Sequence, residues 1–220
     1  MRAWLFAVAA ALALGAFAPM VASARDDSVE DDSVEAGSVE AGVLAQINWA
    51  RTHPAQYARM LRRYRTYFQG RIVQEPDDNT PVMTREGRSA VDEAIAYVER
   101  QQPMAPVAED GRLDQAAAGY VEETGPDGLV GHFGRGDETP RQRVEGAGVR
   151  AGSVGEVIAY GPVTPQAVVR QLIVDDGVPG RGHRSVIFDP GYRIAGAGCG
   201  AHRVYRTMCV VDFAGAVMGR

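Results

Sequence analysis

Two short runs near the C-terminus, Tyr192 to Gly200 and Val204 to Ala214, constrain the fold most. Each is bounded by glycine and rich in small or β-branched residues, so together they read as an antiparallel hairpin. The only two cysteines, Cys199 and Cys209, fall one in each run. A cross-strand disulfide closing the hairpin is the leading reading for a chain that meets oxidising conditions. Two free thiols, or a site built from Cys199, Cys209 and His202, are the alternatives; neither cysteine has the C-x-x-C spacing of a structural zinc site. Ser153 to Ala159 is compatible with a third strand.

Helices are expected upstream and between. Val43, Leu44 and Ile47 begin one, broken near His53-Pro54, and Tyr57, Leu61, Tyr64 and Phe68 continue an apolar stripe that Pro54 opens. Residues 70 to 83 carry Gly70, Pro76, Asp77, Asp78, Asn79 and Pro81, a loop composition. Val91, Ala94, Ile95 and Val98 mark a further helix. Asp110 is placed to cap another, with Leu113, Ala116, Ala117, Tyr120 and Val121 at i, i+3, i+4, i+7 and i+8. Thr139-Pro140-Arg141-Gln142 has the capping residue, the proline and the Gln that open a short helix to about Gly146. Thr164-Pro165 repeats that start, with Val168, Val169 and Leu172 as its apolar face up to Asp175.

The N-terminus reads as a targeting segment rather than as fold. Arg2 is followed by an apolar run, Trp4 to Phe17, and by Ala22-Ser23-Ala24, the pattern of a cleaved secretory signal over residues 1–24. That run is short for a membrane span of about 20 residues, and no later stretch could serve instead, so no span is expected after cleavage and the mature chain is expected to be secreted or periplasmic. Residues 25–42 hold a pentapeptide repeat, Asp-Asp-Ser-Val-Glu twice and then Ala-Gly-Ser-Val-Glu, too acidic to bury anything and read as a disordered tether. Residues 43–220 are left as one domain, long enough for a real core. Losing Arg2 moves the formal charge from −5 to −6. Nucleic acid is therefore not an expected partner; the one cationic cluster, Arg59, Arg62, Arg63 and Arg65, reads as a solvated helix face.

Chemistry concentrates around two of the four histidines. His132 lies in Gly131-His132-Phe133-Gly134, and His183 follows the acidic, glycine-rich stretch Asp175-Asp176-Gly177-Val178-Pro179-Gly180-Arg181-Gly182. Glycines beside such side chains permit tight turns and close approach of a ligand. Read alone, both are loop histidines with nearby carboxylates, able to serve acid–base, ligating or purely structural roles. Arg181 and Arg184 read as loop-surface charges pairing with Asp175, Asp176 or Asp189. Ser153 lies three residues from Glu156 and Ser185 two from His183, spacings too common to name a nucleophile.

The order of these pieces resembles the CAP superfamily, which holds cysteine-rich secretory proteins, antigen 5, plant pathogenesis-related proteins and bacterial SCP-like proteins. The residues that carry the resemblance are Ile47-Asn48-Trp49-Ala50-Arg51, Leu113 to Tyr120, His132, Arg143 to Gly148, Gly155-Glu156-Val157-Ile158-Ala159-Tyr160-Gly161, Gly182-His183-Arg184-Ser185 on to Asp189-Pro190, and Tyr192 to Gly198. They span about residues 43 to 215. The resemblance implies an α+β fold, a three-layer α-β-α sandwich around a small central antiparallel sheet. It also implies a cleft holding two His and two acidic residues. His132, Glu156 and His183 fall on three of these positions and Asp175 on the fourth, with Asp176 as the alternative one residue on.

Two departures from the family pattern stand out. Val157 replaces the Asn of the usual Gly-Glu-Asn, and Leu172 stands where an aromatic is frequent, so a different cleft wall is expected. Two imidazoles and two carboxylates make a credible site for a divalent metal such as zinc, with His132 and His183 as ligands alongside Glu156 and Asp175; the shorter reach of Asp would weaken it. The resemblance implies an extracytoplasmic binding module for a lipid, peptide or cell-wall ligand. The alternative is a metal-assisted or acid–base hydrolase acting on peptide or cell-wall substrates.

Overall fold

The computed structural model describes residues 38–76 and 80–216. The expected signal and most of the expected tether lie outside them. The described residues include the end of the third repeat. Ser38 accepts the amide of Ala41 and caps α1 (Val39–Thr52), whose Glu40 sits in the first turn where a negative charge favours the helix dipole. Glu40 also accepts the backbone N–H of Cys199 at 3.1 Å, so the repeat's last acid is used by the fold.

Pro54 opens α2 (Pro54–Arg65) as expected, since a missing N–H costs nothing at a helix start. The arginine face of α2 is spent on α3 (Arg88–Glu99), Arg62 pairing with Glu99 and Arg65 with Asp92. Between these helices the composition of 70–83 suggests only loop, yet a small antiparallel meander forms from β1 (Phe68–Gln69), β2 (Ile72–Val73) and β3 (Val82–Met83). Strands of two residues carry no alternation that a sequence could display.

The central sheet has the order β4-β6-β7-β5. Its edge strand β4 (Ala108–Glu109) runs parallel to β6 and leads through Asp110, which accepts the amide of Arg112, into α4 (Gly111–Thr124). The sheet is therefore antiparallel except at this edge. Then follow α5 (Pro140–Gly146), with the full Thr139–Gln142 capping box, β5 (Val154–Tyr160) and α6 (Pro165–Val174). A short helix, α7 (Gly182–Ile187), occupies the stretch around His183 that reads as loop; at six residues it is too short to show a period. β6 (Ile194–His202) and β7 (Arg206–Ala214) form the expected hairpin, and Cys199 and Cys209, directly opposite in its register, are joined by a disulfide. His202 has no part in a cysteine site. Its Nδ1 accepts the amides of Val204 and Tyr205 across the hairpin turn, which fixes the proton on Nε2 for donation to the carbonyl of Leu129.

One face of this sheet, through Val157, Ala159, Ala195, Ala197, Val211 and Phe213, packs on α1, α2, α3, α6 and α7 in the main core. The other face carries α4 and α5, which completes a three-layer α-β-α sandwich. Alternation in β5 sends Val157 and Glu156 to opposite faces. Val157 is thus a core residue, and Leu172, 1% exposed, is another; neither departure from the family pattern lies in a cleft wall.

Glycines let α4 approach. On the α4 side of β6 stand Gly196, Gly198 and Gly200, and a Cβ at Gly198 would fall 2.6 Å from the backbone carbon of Ala117 and 2.7 Å from the Cα of Ala118. At Gly196 it would fall 2.6 Å from the Cβ of Leu113. The row Gly196–Asp212–Glu156 crosses the sheet on that same face. Asp212 is fully buried, and neither carboxylate oxygen has a hydrogen-bond partner among the described residues. Burial first, and then the charge of Glu156, push its carboxyl well above the usual carboxylate range, with Arg143 opposing. Burial without a hydrogen-bond partner thus favours the protonated form of Asp212.

Two outcomes follow. Gly198→Ala is expected to cost about 1–3 kcal/mol of stability in urea unfolding, from overpacking against helix backbone that cannot rotate away; an unchanged midpoint would mean that α4 is not seated on β6. For Asp212, the folded pKa is raised above the ordinary 3.8. Its stabilising contribution is full below that value and is lost as pH rises towards the raised one. Asp212→Asn, which cannot ionise, should gain on wild type over that window by at most about 1.4 kcal/mol per pH unit. Urea titrations from pH 4 upwards read the gap, and a flat difference would show that Asp212 is not neutral in the fold.

Candidate functional site

The site has two halves, each an imidazole held by a carboxylate. In the first, Glu156 on β5 points to the α4 side of the sheet, its side chain 1% exposed, and takes His132 Nδ1 at 2.7 Å on Oε1. Its other oxygen pairs with Arg143 of α5. Arg143 lies buried with its guanidinium 3.9 Å over the ring of Tyr120, and it donates to the carbonyls of His132 and Glu138. A carboxylate, two carbonyls and an aromatic face compensate this buried cation, although its Nε has no hydrogen-bond partner among the described residues.

The loop that carries His132 is fixed from both sides of one residue. Tyr120 donates its hydroxyl to the Gly131 carbonyl at 2.7 Å, while the Gly131 amide donates to the hydroxyl of Tyr160 at 3.0 Å. Gly131 has φ 106°, a conformation that favours glycine. Burial, with the charge of Glu156 adding to it, pushes the Tyr120 phenol up to about 12, so it stays a hydrogen-bond donor.

The second half is built locally. Asp175 ends α6 in the left-handed conformation, φ 58° and ψ 40°, which Asp tolerates better than most residues. The turn brings its carboxylate back over the start of α7. There it accepts His183 Nδ1 at 2.7 Å, the His183 amide at 3.0 Å and the Arg184 amide at 3.4 Å. Asp176 points elsewhere and accepts the amides of Arg85 and Glu86. The structure thus brings Asp175, and not Asp176, to His183.

A charged latch holds this turn. Glu86 accepts Gly177 N at 2.6 Å and both terminal nitrogens of Arg181 at 2.7 Å, which depresses its carboxyl to about 2, chiefly through the Arg181 hydrogen bonds. Arg181 pairs also with Glu93. Arg184 is not a surface charge. It is 1% exposed, donates to the carbonyls of Ile173 and Val174, and reaches Glu93 at 3.3 Å; burial lowers its pKa. Neither arginine pairs with the carboxylate of Asp175, Asp176 or Asp189.

The two imidazoles face one another with ring centroids 6.1 Å apart and planes inclined by 46°. A carboxylate oxygen on Nδ1 selects the tautomer with the proton on that nitrogen, and in that tautomer Nε2 is the ring's acceptor. An open groove of about 330 Å³, lined by His132, Glu156, Thr139, Pro140, Arg141 and Val154, continues from the first half.

This differs from the expected metal set. All four carboxylate oxygens are taken up by imidazole, guanidinium or backbone donors. Among the described residues no three His, Cys, Asp or Glu side chains converge on a metal-sized point. Of the expected set, only the Nε2 atoms of His132 and His183 would remain to hold a zinc ion, with Glu156 and Asp175 as outer partners.

Sequence reasoning missed Arg143, Tyr120, Tyr160 and Asp212 as parts of this site. The helical stripe places Tyr120 inward but gives no sign that its hydroxyl reaches another loop. Arg143 sits in a quoted motif without a visible partner. Asp212, in the run Cys209-Val210-Val211-Asp212-Phe213, was readable as a charge in an otherwise apolar strand, the one signal that could have found it.

The family model for cysteine-rich secretory proteins, CAP, matches residues 44–213. No curated protein matches the chain. Among solved structures it is similar to an extracellular protein containing an SCP domain from Bacillus anthracis str. Ames, at 16% identity and TM-score 0.42, covering 59% of this chain and 38% of that one. It is similar also to an outer surface protein from Borrelia burgdorferi, at 17% identity and TM-score 0.43, covering 67% and 98%. A cysteine-rich secretory protein from Staphylococcus aureus subsp. aureus Mu50 aligns at 11% identity and TM-score 0.39, covering 66% and 44%. The chain thus spans less than half the length of the first and third of these. With that family model matched across the sheet, the helices and both halves of the cleft, the chain belongs to the cysteine-rich secretory protein (CAP) family.

Proposed function

We propose that the protein is an exported binding module whose two-histidine cleft receives a hydroxyl- or amide-bearing group of a peptide or cell-wall ligand. A lipid headgroup carrying such a group belongs to the same class. The observation that supports this most is the pairing of each imidazole with its carboxylate through Nδ1, which leaves two Nε2 acceptors across a 6.1 Å ring separation. Ligand hydroxyl and N–H groups are the donors that such acceptors recognise. A polar cleft of this kind is poorly suited to an acyl chain. Export to the periplasm or beyond is part of the same proposal, carried by the signal-like pattern of residues 1–24; no helix among the described residues is long and apolar enough to cross a membrane.

A second reading, hydrolysis of peptide or cell-wall substrates, has one observation in its favour. A carboxylate on Nδ1 raises the basicity of Nε2, as general-base catalysis or metal binding would require. Against it stands the lack of an activated side-chain nucleophile. The Ser185 hydroxyl is spent on the carbonyl of Arg181 at 3.1 Å, and Ser153 lies beside Gly215 rather than beside an imidazole. Water would have to serve, activated by an imidazole or by a zinc ion on His132 and His183.

The test compares wild type with His183→Ala by calorimetric titration of soluble peptidoglycan fragments and of peptides, with metal content measured and products followed by mass spectrometry. Binding is expected to fall about tenfold in the variant, the value of one hydrogen bond of about 1–1.5 kcal/mol, with no turnover by either protein. Turnover by wild type that disappears in the variant would replace the binding reading by the hydrolytic one. Absence of binding to every ligand would remove both.

A further inference from the structure

Ten large apolar side chains stand exposed among the described residues, and six of them gather at one end of the domain: Leu129, Val130, Phe133, Val163, Val204 and Tyr205. They come from three loops that the fold ties together. The hairpin turn between β6 and β7 meets the 125–133 loop through the Arg203 amide on the Gly125 carbonyl and His202 Nε2 on the Leu129 carbonyl. Val204 lies against Gly128, where an added Cβ would fall 2.9 Å from its Cγ2. The 161–163 loop joins them through the Gly161 amide on the Thr207 carbonyl and the Thr207 hydroxyl on the Pro162 carbonyl. Tyr160 sits at the junction, its ring 5.2 Å from His202 and 5.4 Å from Tyr205. The tips are thus held out on a braced base, with Val130, Val163 and Val204 each at least 60% exposed. Gathered apolar exposure of this kind marks a contact surface.

We infer that this end of the domain docks onto an anionic lipid bilayer, with the three apolar loop tips entering the headgroup layer. Charge selects that occupant. Arg203 and Arg206 bracket Val204 and Tyr205, and neither forms an ion pair with a carboxylate among the described residues; Arg203 donates only to main-chain oxygen. Asp127, whose main-chain oxygen Arg203 holds, pairs its carboxylate with Arg135. In a chain whose formal charge is −5, two uncompensated cations set around apolar tips complement anionic headgroups. Branched aliphatic tips with one Phe and one Tyr are side chains that settle at a bilayer boundary, the Tyr hydroxyl staying at headgroup level. The short, knitted loops offer points rather than a helix face or a free strand edge. This inference is independent of what the cleft binds.

The experiment is co-sedimentation of the mature chain, beginning at Arg25, with vesicles of phosphatidylcholine alone or mixed with phosphatidylglycerol. This form keeps every described residue and omits the apolar N-terminal stretch, which would bind lipid by itself. Wild type should bind the mixed vesicles, more weakly as salt is raised, and bind the neutral ones less. Val130→Glu/Val204→Glu should lose at least about tenfold in partitioning, and Arg203→Gln/Arg206→Gln about fivefold per charge together with the salt dependence. All four positions are exposed, and unchanged circular dichroism and urea midpoints verify that the variants fold. Vesicle binding by His183→Ala equal to that of wild type is the expected result and separates this surface from the cleft; loss of vesicle binding in that variant would place the phosphatidylglycerol headgroup in the cleft and overturn the proposal. Equal binding to both vesicle types, or equal binding by wild type and the valine variant, overturns the proposal. So does concentration-dependent dimerisation that the valine variant abolishes, because the patch would then be an interface between two copies.

Discussion

Helix α4 can lie on the central sheet only because β6 offers glycine wherever the helix crosses it. That close approach decides more than packing. It sets the height of Tyr120 above the sheet, and Tyr120 is both the donor that fixes the Gly131 carbonyl and the aromatic face on which Arg143 lies. A helix raised by even a methyl group would carry both contacts away from His132. The first half of the cleft therefore depends on an absence of side chains at Gly196 and Gly198, acting through van der Waals contact between β6 and α4 rather than through any polar bond.

The second half is built on another principle. Asp175 and His183 are eight residues apart, and the left-handed turn at the end of α6 joins them with little help from the sheet. What the rest of the fold supplies is anchorage at the turn's margins. Glu86 and Glu93 hold Arg181, Arg184 is buried against the last carbonyls of α6, and Arg51 of α1 donates to the carbonyl of Ile187 where α7 ends. One imidazole is thus placed by long-range packing and the other by local capping plus a charged latch. Their spacing is sensitive to changes in either, which gives the cleft two separate routes by which distant substitutions can alter it.

The sequence displayed well those features that rest on local rules. The helix starts at Asp110, Thr139 and Thr164 were readable because capping is a matter of one side chain and the next few amides, and the hairpin was readable because glycine and cysteine mark its limits. Features that rest on tertiary compensation were hidden. Arg184 next to acids in sequence looks like a surface charge, and only the fold shows it capping carbonyls in the interior. Asp175 and Asp176 are indistinguishable by composition; backbone geometry sends one carboxylate back to α7 and the other to the amides ahead of α3. Asp212 shows in the sequence only as a charge in an apolar strand; its carboxylate has no hydrogen-bond partner among the described residues, and what raises its pKa, burial first and then Glu156, is visible only in the fold.

That neutral acid bears on how the cleft is charged. Glu156 and Asp212 stand side by side on the same face of the sheet, with Arg143 the one buried cation near both. One cation balances one anion, so the pair can be buried without net charge only if one carboxyl keeps its proton. Arg143 bonds Glu156, and the proton therefore stays on Asp212. Glu156 orients His132, and both of its oxygens are already bonded, one to Nδ1 and one to Arg143, before any ligand arrives. Asp175 is in the same condition, its oxygens bonded to Nδ1 and to two amides. What the cleft presents outward is accordingly not carboxylate oxygen but two oriented imidazole rings with Nε2 free of protein partners among the described residues, and, with no more than two nitrogens to offer, they could hold a metal only if the ligand or water completed the shell.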